Sequence, residues 1–451
     1  MKIEIGNELR LDDVPPWLRE KLVQRFTLTN PQWLDRKRLG RWHAGTPQTL
    51  KFYGTFRQSL FLPRGYTRRL LSQCRNRGIP CELTDRRRVL PEADFTFQGK
   101  LRPFQERAVR DMAAREFGTL AAPTGSGKTV MGLALIARRR QPALVVVHTR
   151  ELLEQWLARI EEFLGIPRDE IGRIGGGKQS FGHKVTVALV QSLYKCTDQT
   201  AERVGHLVVD ECHRTPSRTF TEAVRSFDCR YMLGLSATPW RRDRLTPLIF
   251  WHLGDVTHEV PREVLLATGD VLPAEVVIRQ TSFEPLADPV TEYPRMLQEL
   301  TEDDERNTLI ARDIATEAAR DSGVCLVLSD RKSHCETIRT LLDDLGVPAE
   351  RLTGDLAEED RRRVVEMLNQ GRVRVVVATG QLVGEGFDCR HLTTLFLTTP
   401  VRFDGRLLQY LGRVLRPAPG KDRARIYDYV DENVGVLRAA ARTRRRVYTG
   451  T

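Results

Sequence analysis

The sequence predicts an α/β protein with two parallel-sheet lobes and a smaller basic domain in front of them. From about Leu101 onward, short β-branched runs alternate with amphipathic helical stretches, which is typical of strands buried on both faces of a parallel sheet. The runs form two groups, separated by the segment FEPLADPVTEYP (283–294), which contains prolines and lacks periodicity, as expected of a linker. The first hundred residues are instead rich in arginine, proline and aromatic side chains.

The apolar runs indicate where the strands of each lobe lie. They are ALVVV (143–147), HLVVD (206–210) and YMLGL (231–235) in the first lobe, and VCLVLS (324–329), VRVVVA (373–378) and TLFLT (394–398) in the second. We therefore expect an N-terminal domain over residues 1–95, a first lobe over 96–285 and a second lobe over 286–451, with a hinge between the lobes.

The positive charge of the chain is concentrated near its start. Residues 1–100 carry 20 Lys and Arg against 10 Asp and Glu, so +10 of the net charge of +12 lies there. This asymmetry favours a polyanionic partner. The alternative is that the basic surface only keeps the protein in solution.

Composition argues against several classes of protein. The 451 residues are 41% hydrophobic and 29% charged, without an apolar run of about 18 residues, so no membrane partner is expected. The start, MKIEIGNELRLDD, lacks the apolar core of a secretory signal. The eight cysteines include no CxxC pair, which disfavours a zinc knuckle or a four-cysteine iron–sulfur cluster and fits a reduced, cytoplasmic compartment.

The segment APTGSGKT (122–129) has the spacing of a phosphate-binding loop. Gly125 and Gly127 allow backbone N–H groups to point at phosphate oxygens, and the helix expected from Lys128 presents its positive end. Lys128 would reach the β- and γ-phosphates, and the Thr129 hydroxyl would bind Mg²⁺. Kinases, transporters, GTPases and nucleic-acid motors all contain such loops. The candidate ATP-binding residues here are Thr124, Gly125, Ser126, Gly127, Lys128 and Thr129.

An acidic pair, Asp210 and Glu211, begins at the last residue of the run HLVVD, at the carboxyl end of an expected strand. Ligands of open α/β sheets bind at that edge. One carboxylate suits the Mg²⁺ shell, for which we choose Asp210, and its neighbour Glu211 suits activation of the attacking water. Alone, such a pair more often begins a surface loop, but the phosphate-binding loop at 122–129 favours the functional interpretation.

The segment DECH (210–213), together with SAT (236–238), resembles motifs II and III of the superfamily 2 DExH helicases and translocases. Further segments resemble that family's motifs in order, over about residues 96–435: LRPFQ (101–105), HTRELLEQW (148–156), ALVQSL (188–193), LVLSDRKSHCE (326–336), LTGD (352–355), ATGQLVGEGFD (378–388) and QYLGRVLR (409–416). The resemblance implies RecA-like lobes, the cofactors ATP and Mg²⁺, and a nucleic-acid partner.

The resemblance also implies roles for individual residues. Arg102 and Gln105 would contact adenine and Asp388 the ribose, while Ser236 and Thr238 would couple the phosphate state to movement. Gln409, Arg413 and Arg416 would be catalytic. Arg413 and Arg416 lie three apart, so on a helix they would share a face and could act as arginine fingers, although a solvated basic face is the alternative. The expected nucleic-acid contacts are Thr149, Arg150, Thr353, Gly354 and Thr379.

The N-terminal segment 51–78 interleaves aromatic and basic residues. Tyr53, Phe56, Phe61 and Tyr66 could stack on bases while Arg57, Arg64, Arg68 and Arg69 bind phosphates, although the rings fit a hydrophobic core equally well. Another basic group, Arg241, Arg242 and Arg244, either contacts nucleic acid or pairs with acidic neighbours.

RPFQ, GLSATPWRRD and the chain length most resemble the XPB-like and UvsW-like branch, which includes the res subunits of type III restriction enzymes. That branch implies an ATP-dependent DNA helicase or translocase, moving 3′ to 5′ on single-stranded or duplex DNA in repair, recombination or defence. An RNA-directed DExH enzyme is one alternative, because the core motifs grip a sugar–phosphate backbone. An ATP-switched DNA clamp that does not separate strands is the other.

Overall fold

The computed structural model describes the chain except residues 39, 41, 43–44, 215–220, 222–223, 242, 321–322, 381–388, 390, 402–403, 419–420 and 450–451, and except the side chains at 38, 404–406, 408–409 and 449. The chain divides into two compact units, residues 1–122 with 127–260 and residues 123–126 with 261–451. In the part of the chain thus described, no helix is both long and apolar enough to cross a membrane.

The N-terminal residues form a small sheet of their own, in the strand order β5-β6-β2-β1-β7. In β2 the alternation ELRLD buries Leu9 and Leu11 and leaves Arg10 exposed, as the period of two in a strand requires. The N-terminal elements are β1 (Lys2–Ile5), β2 (Glu8–Asp12), α1 (Pro16–Arg25), β3 (Thr27–Thr29), α2 (Pro31–Arg38), β4 (Thr49–Lys51), β5 (Gly54–Phe56), β6 (Ser59–Pro63), α3 (Thr67–Asn76) and β7 (Glu82–Asp85). Strands β3 and β4 pair separately.

The main sheet of the first unit has the order β11-β10-β12-β9-β13-β14-β8-β15, and only the β10–β11 pair is antiparallel among its described strands. Its elements are α4 (Pro103–Ala113), β8 (Phe117–Ala121), α5 (Lys128–Arg139), β9 (Ala143–Val147), α6 (Arg150–Leu164), β10 (Gly172–Gly175), β11 (Lys178–Gln179), β12 (Val185–Leu189), α7 (Val190–Leu193), α8 (Thr197–Ala201), β13 (His206–Val209), β14 (Tyr231–Ser236), α9 (Pro247–Leu253) and β15 (Val256–Glu259). The expected parallel sheet is confirmed.

The second unit contains a parallel sheet in the order β16-β21-β20-β17-β19-β18. Its elements are α10 (Arg262–Ala267), β16 (Ala274–Thr281), α11 (Tyr293–Glu302), α12 (Asp304–Arg320), β17 (Val324–Ser329), α13 (Lys332–Asp344), β18 (Ala349–Leu352), α14 (Glu358–Asn369), β19 (Val375–Thr379), β20 (Leu392–Leu397), α15 (Asp404–Val414), β21 (Ala424–Asp431) and α16 (Gly435–Thr449). Strand β17 is buried along its whole length, which explains its unbroken apolar sequence.

The N-terminal part and helix α9 of the first unit share one hydrophobic core. Trp251 of α9 packs among the buried N-terminal residues, with its ring centroid 4.4 Å from that of Phe26. The chain approaches α9 so closely that a Cβ atom at Gly65 would lie 2.6 Å from the carbonyl oxygen of Trp251. Residues 1–95 therefore have their own sheet but do not form a separate compact unit.

The second sheet starts earlier than the sequence suggested. Strand β16 pairs with β21 over its whole length, although it precedes residue 286, where we expected the second lobe to begin. The contact division after Val260 agrees with that pairing. Its sequence AEVVIRQT is only partly buried, so it lacks the continuous apolar signal of the central strands.

Candidate nucleotide-binding site

The loop between β8 and α5 has the backbone of a phosphate-binding loop. Gly125 and Gly127 have φ angles of +92° and +79°, in the left-handed region that favours glycine. Helix α5 begins directly afterwards at Lys128, so the N–H groups of its first turn face the loop. Thr129 lies in the first turn of that helix and is half-buried.

Two side chains hold this loop closed on itself. Lys128 Nζ donates a hydrogen bond to the carbonyl oxygen of Ala122 at 3.0 Å, and Ser126 Oγ donates to the carbonyl oxygen of Pro123 at 2.7 Å. The Ser126 side chain is fully buried, whereas Lys128 is half-buried. Lys128 can therefore exchange one carbonyl contact for a phosphate, while Ser126 fixes the shape of the loop. Thr124, beside them, is also half-buried.

Asp210 lies at the carboxyl end of β13, where the sequence predicted it. The carboxylate is 5% exposed and accepts two hydrogen bonds, from Nε1 of Trp156 at 2.8 Å and from the backbone N–H of Glu211 at 2.9 Å. Trp156 lies on the buried face of α6. These two donors fix the orientation of the carboxylate, which suits a group that must hold a metal ion or its water.

Glu211 occupies a strained backbone position, with a φ of +46° that a residue other than glycine rarely adopts. Its Oε2 atom is buried, and it forms no hydrogen bond within the described part of the chain, although it lies 3.3 Å from Nδ1 of His213. A buried acceptor without a donor is costly unless a ligand or water supplies one. This unsatisfied oxygen fits the predicted role of Glu211 as the group that orients an attacking water.

The two neighbouring carboxylates differ in their ionisation. Burial, and next the charge of Glu211, raise the pKa of Asp210 to about 6. Burial also acts to raise the pKa of Glu211, but nearby charges, Lys128 foremost, outweigh it and lower that pKa. Glu211 is thus ionised at neutral pH and can accept a proton, whereas Asp210 favours a cation that would balance its charge.

His213 connects the acidic pair to the end of β14. Burial lowers the pKa of His213 to about 4, so the imidazole is neutral at physiological pH. Its Nδ1 lies 2.8 Å from the hydroxyl of Ser236, which also accepts the backbone N–H of Thr238 at 3.0 Å. The two predicted coupling residues, Ser236 and Thr238, therefore lie in one network with the acidic pair.

Gln105 lies beside the phosphate-binding loop, as a candidate ATP-binding residue should. A Cβ atom at Gly127 would come within 2.5 Å of Nε2 of Gln105, so the side chain fits only against a glycine. Its Oε1 accepts the backbone N–H of Arg102 at 3.0 Å, which caps α4. Gln105 is buried and Arg102 is exposed.

The candidate nucleic-acid contacts lie at the carboxyl edges of their sheets. In the first unit Thr149 caps α6, since its hydroxyl accepts the N–H of Leu152 at 3.2 Å, and Arg150 is exposed. In the second unit Leu352 pairs with Ala378, so the residues that follow, Thr353 and Thr379, are neighbours. Gly354 is exposed, Thr379 is half-buried and Thr353 is fully buried. Burial makes a direct contact of the Thr353 side chain with a strand unfavourable.

The structure corrects one expectation about the arginine pair. Arg413 lies on α15, but the helix ends at Val414, so Arg416 does not share its face. Pro417 follows Arg416, and the residue before a proline is disfavoured in a helical conformation. Both arginine side chains are half-buried. Asp388 and the side chain of Gln409 lie outside the described residues.

The N-terminal segment 51–78 is divided between core and surface. Tyr66 is 1% exposed and Arg64 is 2% exposed, so neither can meet DNA directly. Arg64 instead donates to the carbonyl oxygen of Cys229 at 2.8 Å, which joins the segment after β6 to the segment before β14. Phe56 remains exposed at the β5–β6 turn. Arg69 is partly neutralised by Asp255, at 2.8 Å.

Of the arginines after SATP, Arg241 pairs with Asp243, at 3.0 Å from Nε to Oδ1. Arg242 lies outside the described residues, and Arg244 is exposed. Sequence reasoning missed Trp156, the direct partner of Asp210. A tryptophan on an otherwise aliphatic buried helix face is the signal that could have found it, because a buried indole N–H needs an acceptor.

Comparisons with known proteins identify the family of this chain. The type III restriction enzyme res subunit family matches residues 98–241, and the helicase conserved C-terminal domain matches residues 305–418, together more than half of the chain. A probable helicase of Escherichia phage T5 is 26% identical over 81% of this chain and 79% of its own length.

Two further proteins bear on the family and the fold. The DNA 3′-5′ helicase XPB of Kineococcus radiotolerans is 25% identical over 74% of this chain and 60% of its own length, so this chain spans about three fifths of that relative. The Hef helicase domain of Pyrococcus furiosus has a TM-score of 0.54 and 16% identity, over 76% of this chain and 98% of that domain. The expected α/β fold with two RecA-like lobes is confirmed.

Proposed function

This chain belongs to the superfamily 2 DExH helicases and translocases, in the branch of XPB and the res subunits, and is a nucleic-acid-dependent ATPase. From that premise we propose that it couples ATP hydrolysis to movement along DNA in the 3′-to-5′ direction. The observation that carries the proposal is the edge where the phosphate-binding loop meets Asp210 and Glu211. A role in repair, recombination or defence is part of it.

The chemistry at this edge follows from the described side chains. Lys128 and the N–H groups at the start of α5 would hold the phosphates, and Thr129 and Asp210 would hold Mg²⁺. ATP supplies the phosphoryl group when it is bound. Glu211 would orient the attacking water and accept its proton, because its carboxylate is ionised at neutral pH and its Oε2 atom has no hydrogen-bond donor within the described residues.

Arg102 and Gln105 would contact the adenine of ATP, and Asp388 would contact its ribose. From the second unit, Arg413 and Arg416 would neutralise charge that develops on the γ-phosphate, and the Gln409 amide would donate a hydrogen bond to it. Hydrolysis would then require both units.

The network from Glu211 through His213 to Ser236 supports a coupling role for Ser236 and Thr238. A change at the γ-phosphate that moves Glu211 would break or make the contact with Nδ1 of His213. The strand contacts would come from Thr149, Arg150, Gly354 and Thr379, with Thr353 acting through its neighbours because it is buried. In this scheme residues 1–95 add a DNA-binding surface, residues 96–260 bind ATP, and residues 261–451 complete the motor.

The test is steady-state ATP hydrolysis by the whole chain without nucleic acid and with single-stranded DNA, duplex DNA or RNA, each at two salt concentrations. We expect stimulation by DNA. Stimulation by RNA alone would overturn the DNA assignment in favour of an RNA-directed enzyme. Hydrolysis that no nucleic acid stimulates would overturn the motor.

Two variants separate chemistry from binding. Lys128→Ala and Glu211→Gln should abolish turnover and retain DNA binding, because neither side chain belongs to the proposed strand contacts. Wild-type turnover in either variant would contradict the site. Direction is measured with duplexes that carry only a 3′ or only a 5′ single-stranded tail, and a preference for the 5′ tail would overturn the proposed polarity.

A further inference from the structure

A cavity of about 530 Å³ lies between α1 and α3 of the N-terminal part, far along the chain from the phosphate-binding loop. Trp17 lines it and is 40% exposed. The apolar floor comes from Leu18 and Leu22, which are almost fully buried. A cavity of this size with an aromatic wall is in the range of small-ligand sites, about 300–1,000 Å³. We call it the Trp17 cavity.

Helical spacing places the polar groups of the cavity on facing sides. Trp17, Lys21 and Arg25 follow one another at intervals of four along α1, so they share one face of that helix. Gln73 and Arg77, also four apart, line the opposite wall from α3 and its C-terminal end. The cavity is thus formed by two helix faces and not by a loop.

The lining carries three positive charges and no carboxylate. Within the described residues, Lys21, Arg25 and Arg77 form no ion pair. They lie instead over aromatic rings: Lys21 Nζ is 5.7 Å and the Arg77 guanidinium 5.1 Å from the centroid of Trp17, and the Arg25 guanidinium is 5.8 Å from that of Tyr66. These distances are near the upper limit of a cation–π contact, about 6 Å, so little is lost when an anion draws the cations away.

We propose that the Trp17 cavity binds one unpaired nucleotide of a nucleic-acid strand. Its base would stack on the indole of Trp17, and its flanking phosphates would lie against Lys21, Arg25 and Arg77. Gln73 and Gln24, which also line the cavity, supply amide groups for the base edge or the sugar. An aromatic platform beside unpaired cations is the combination that single-strand binding uses. The inference rests on the proposed function, because it assumes that the chain acts on nucleic acid.

The test measures binding of a fluorescent thymidine 12-mer to the whole chain, and of an abasic strand with the same number of phosphates. Trp17→Ala should weaken binding of the thymidine strand about tenfold, since a stacked base contributes about that much, and should leave the abasic strand unchanged. Trp17→Phe keeps a ring and should recover most of the affinity. Trp42→Ala is the matched control, because Trp42 is 79% exposed in the same part of the chain and lies outside the cavity lining.

The cations are tested by salt dependence. Lys21→Ala and Arg77→Ala should each flatten the slope of log affinity against log salt by about 0.7 for a single strand. If Trp17→Ala weakens binding of the thymidine strand and of the abasic strand equally, base stacking on Trp17 is refuted. If Lys21→Ala and Arg77→Ala leave the salt dependence of binding unchanged, the phosphate contacts are refuted. A ribo-oligonucleotide of the same length distinguishes RNA from DNA as the source of the nucleotide.

This inference and the proposed function fail in different ways. If wild-type ATP hydrolysis responds to DNA while Trp17→Ala binds the thymidine strand as tightly as wild type, nucleotide binding in the Trp17 cavity is refuted and the proposed motor function is not. If wild-type hydrolysis responds to no nucleic acid, the motor is wrong whatever the cavity binds. In a functional motor, Trp17→Ala should raise the DNA concentration for half-maximal stimulation by the factor seen in binding, and Trp42→Ala should not.

Discussion

Trp156→Phe removes one hydrogen-bond donor from the candidate Mg²⁺ site and keeps an aromatic ring in place. Nε1 of Trp156 lies 2.8 Å from Oδ2 of Asp210, and both side chains are buried. A hydrogen bond to a charged group contributes about 1.5–3 kcal/mol. The pKa of Asp210, which burial and Glu211 raise to about 6, should therefore rise further by at least about one, since one pKa unit corresponds to about 1.4 kcal/mol.

The consequence is a pH-dependent need for Mg²⁺, because a proton and Mg²⁺ compete for the Asp210 carboxylate. Raising its pKa favours the protonated form at pH 6.5 more than at pH 8.5, where the carboxylate is mostly ionised in both proteins. At pH 6.5 we expect the Mg²⁺ concentration for half-maximal ATP hydrolysis to rise about 4- to 40-fold, because a rise of about one to two pKa units lowers the ionised fraction of Asp210 by that factor. The increase should be smaller at pH 8.5.

The assay is steady-state ATP hydrolysis with saturating DNA, with Mg²⁺ titrated at each pH. An unchanged Mg²⁺ requirement at both pH values would refute the reasoning. An increase of the same size at both would refute it as well, since it would indicate altered packing of α6 and not a change in ionisation. Trp42→Phe is the control, because that exposed indole lies away from the acidic pair.

Three further predictions concern stability. Trp251→Ala should destabilise the first unit by about 3–5 kcal/mol, as loss of a buried aromatic side chain does, and should make the N-terminal part sensitive to protease. Trp240→Ala is the control and should do neither, because Trp240 is 51% exposed. His334→Gln should reduce the acid sensitivity of the second unit. In the wild type, burial lowers the pKa of His334 to about 3 from an ordinary 6.5, so the unfolded state binds a proton that the folded state does not, and the free energy of unfolding falls as pH drops from 6.5 towards 3, by about 2 kcal/mol at pH 5. Arg306→Leu should cost about 3–5 kcal/mol, because it leaves the Asp431 carboxylate, 2.8 Å away, buried and uncompensated. Urea titrations followed by circular dichroism, at pH 5 and 7.5 for His334→Gln, measure all three, and midpoints equal to wild type would contradict them.

The sequence predicts the central strands because their burial on both faces leaves a continuous apolar run. Strand β9 occupies 143–147 and β17 occupies 324–329, as their runs predicted. Strand β16 was not found because it is only partly buried, so neither an apolar run nor a strict alternation marks it. The position of a lobe boundary depends on such partly buried strands, and this one was therefore misplaced.

The candidate site was predicted where chemistry limits the choice of residue. A phosphate-binding loop needs glycines that can adopt positive φ, and a Mg²⁺ site needs carboxylates at the carboxyl end of a strand; both lie at one edge of the sheet as expected. The strained φ of Glu211 could not be predicted, because strain at a non-glycine residue arises from packing and leaves no mark in the sequence. For Arg416, in contrast, the signal was present: Pro417 predicts that the helix ends before it.

Arg64 shows how charge alone misleads about function. It lies in the most basic part of the sequence, yet it is buried and donates to the carbonyl oxygen of Cys229, just before β14. Only structure separates such an arginine from Lys21 and Arg77, which line an open cavity and form no ion pair within the described residues. Basic composition therefore predicts a polyanion partner but not the residues that bind it.

The shared core of the first unit has a consequence for stepping. Because Trp251, Phe26 and Arg64 join the N-terminal part to the rest of the first unit, which carries Lys128 and Glu211, a strand held in the Trp17 cavity would travel with that unit. A motor advances only if two grips on its strand move relative to each other during the ATP cycle. In the proposed scheme the second grip would come from Gly354 and Thr379, which lie at the carboxyl edge of the sheet of the other compact unit. The N-terminal part would lengthen the grip of the first unit without changing how far the motor steps.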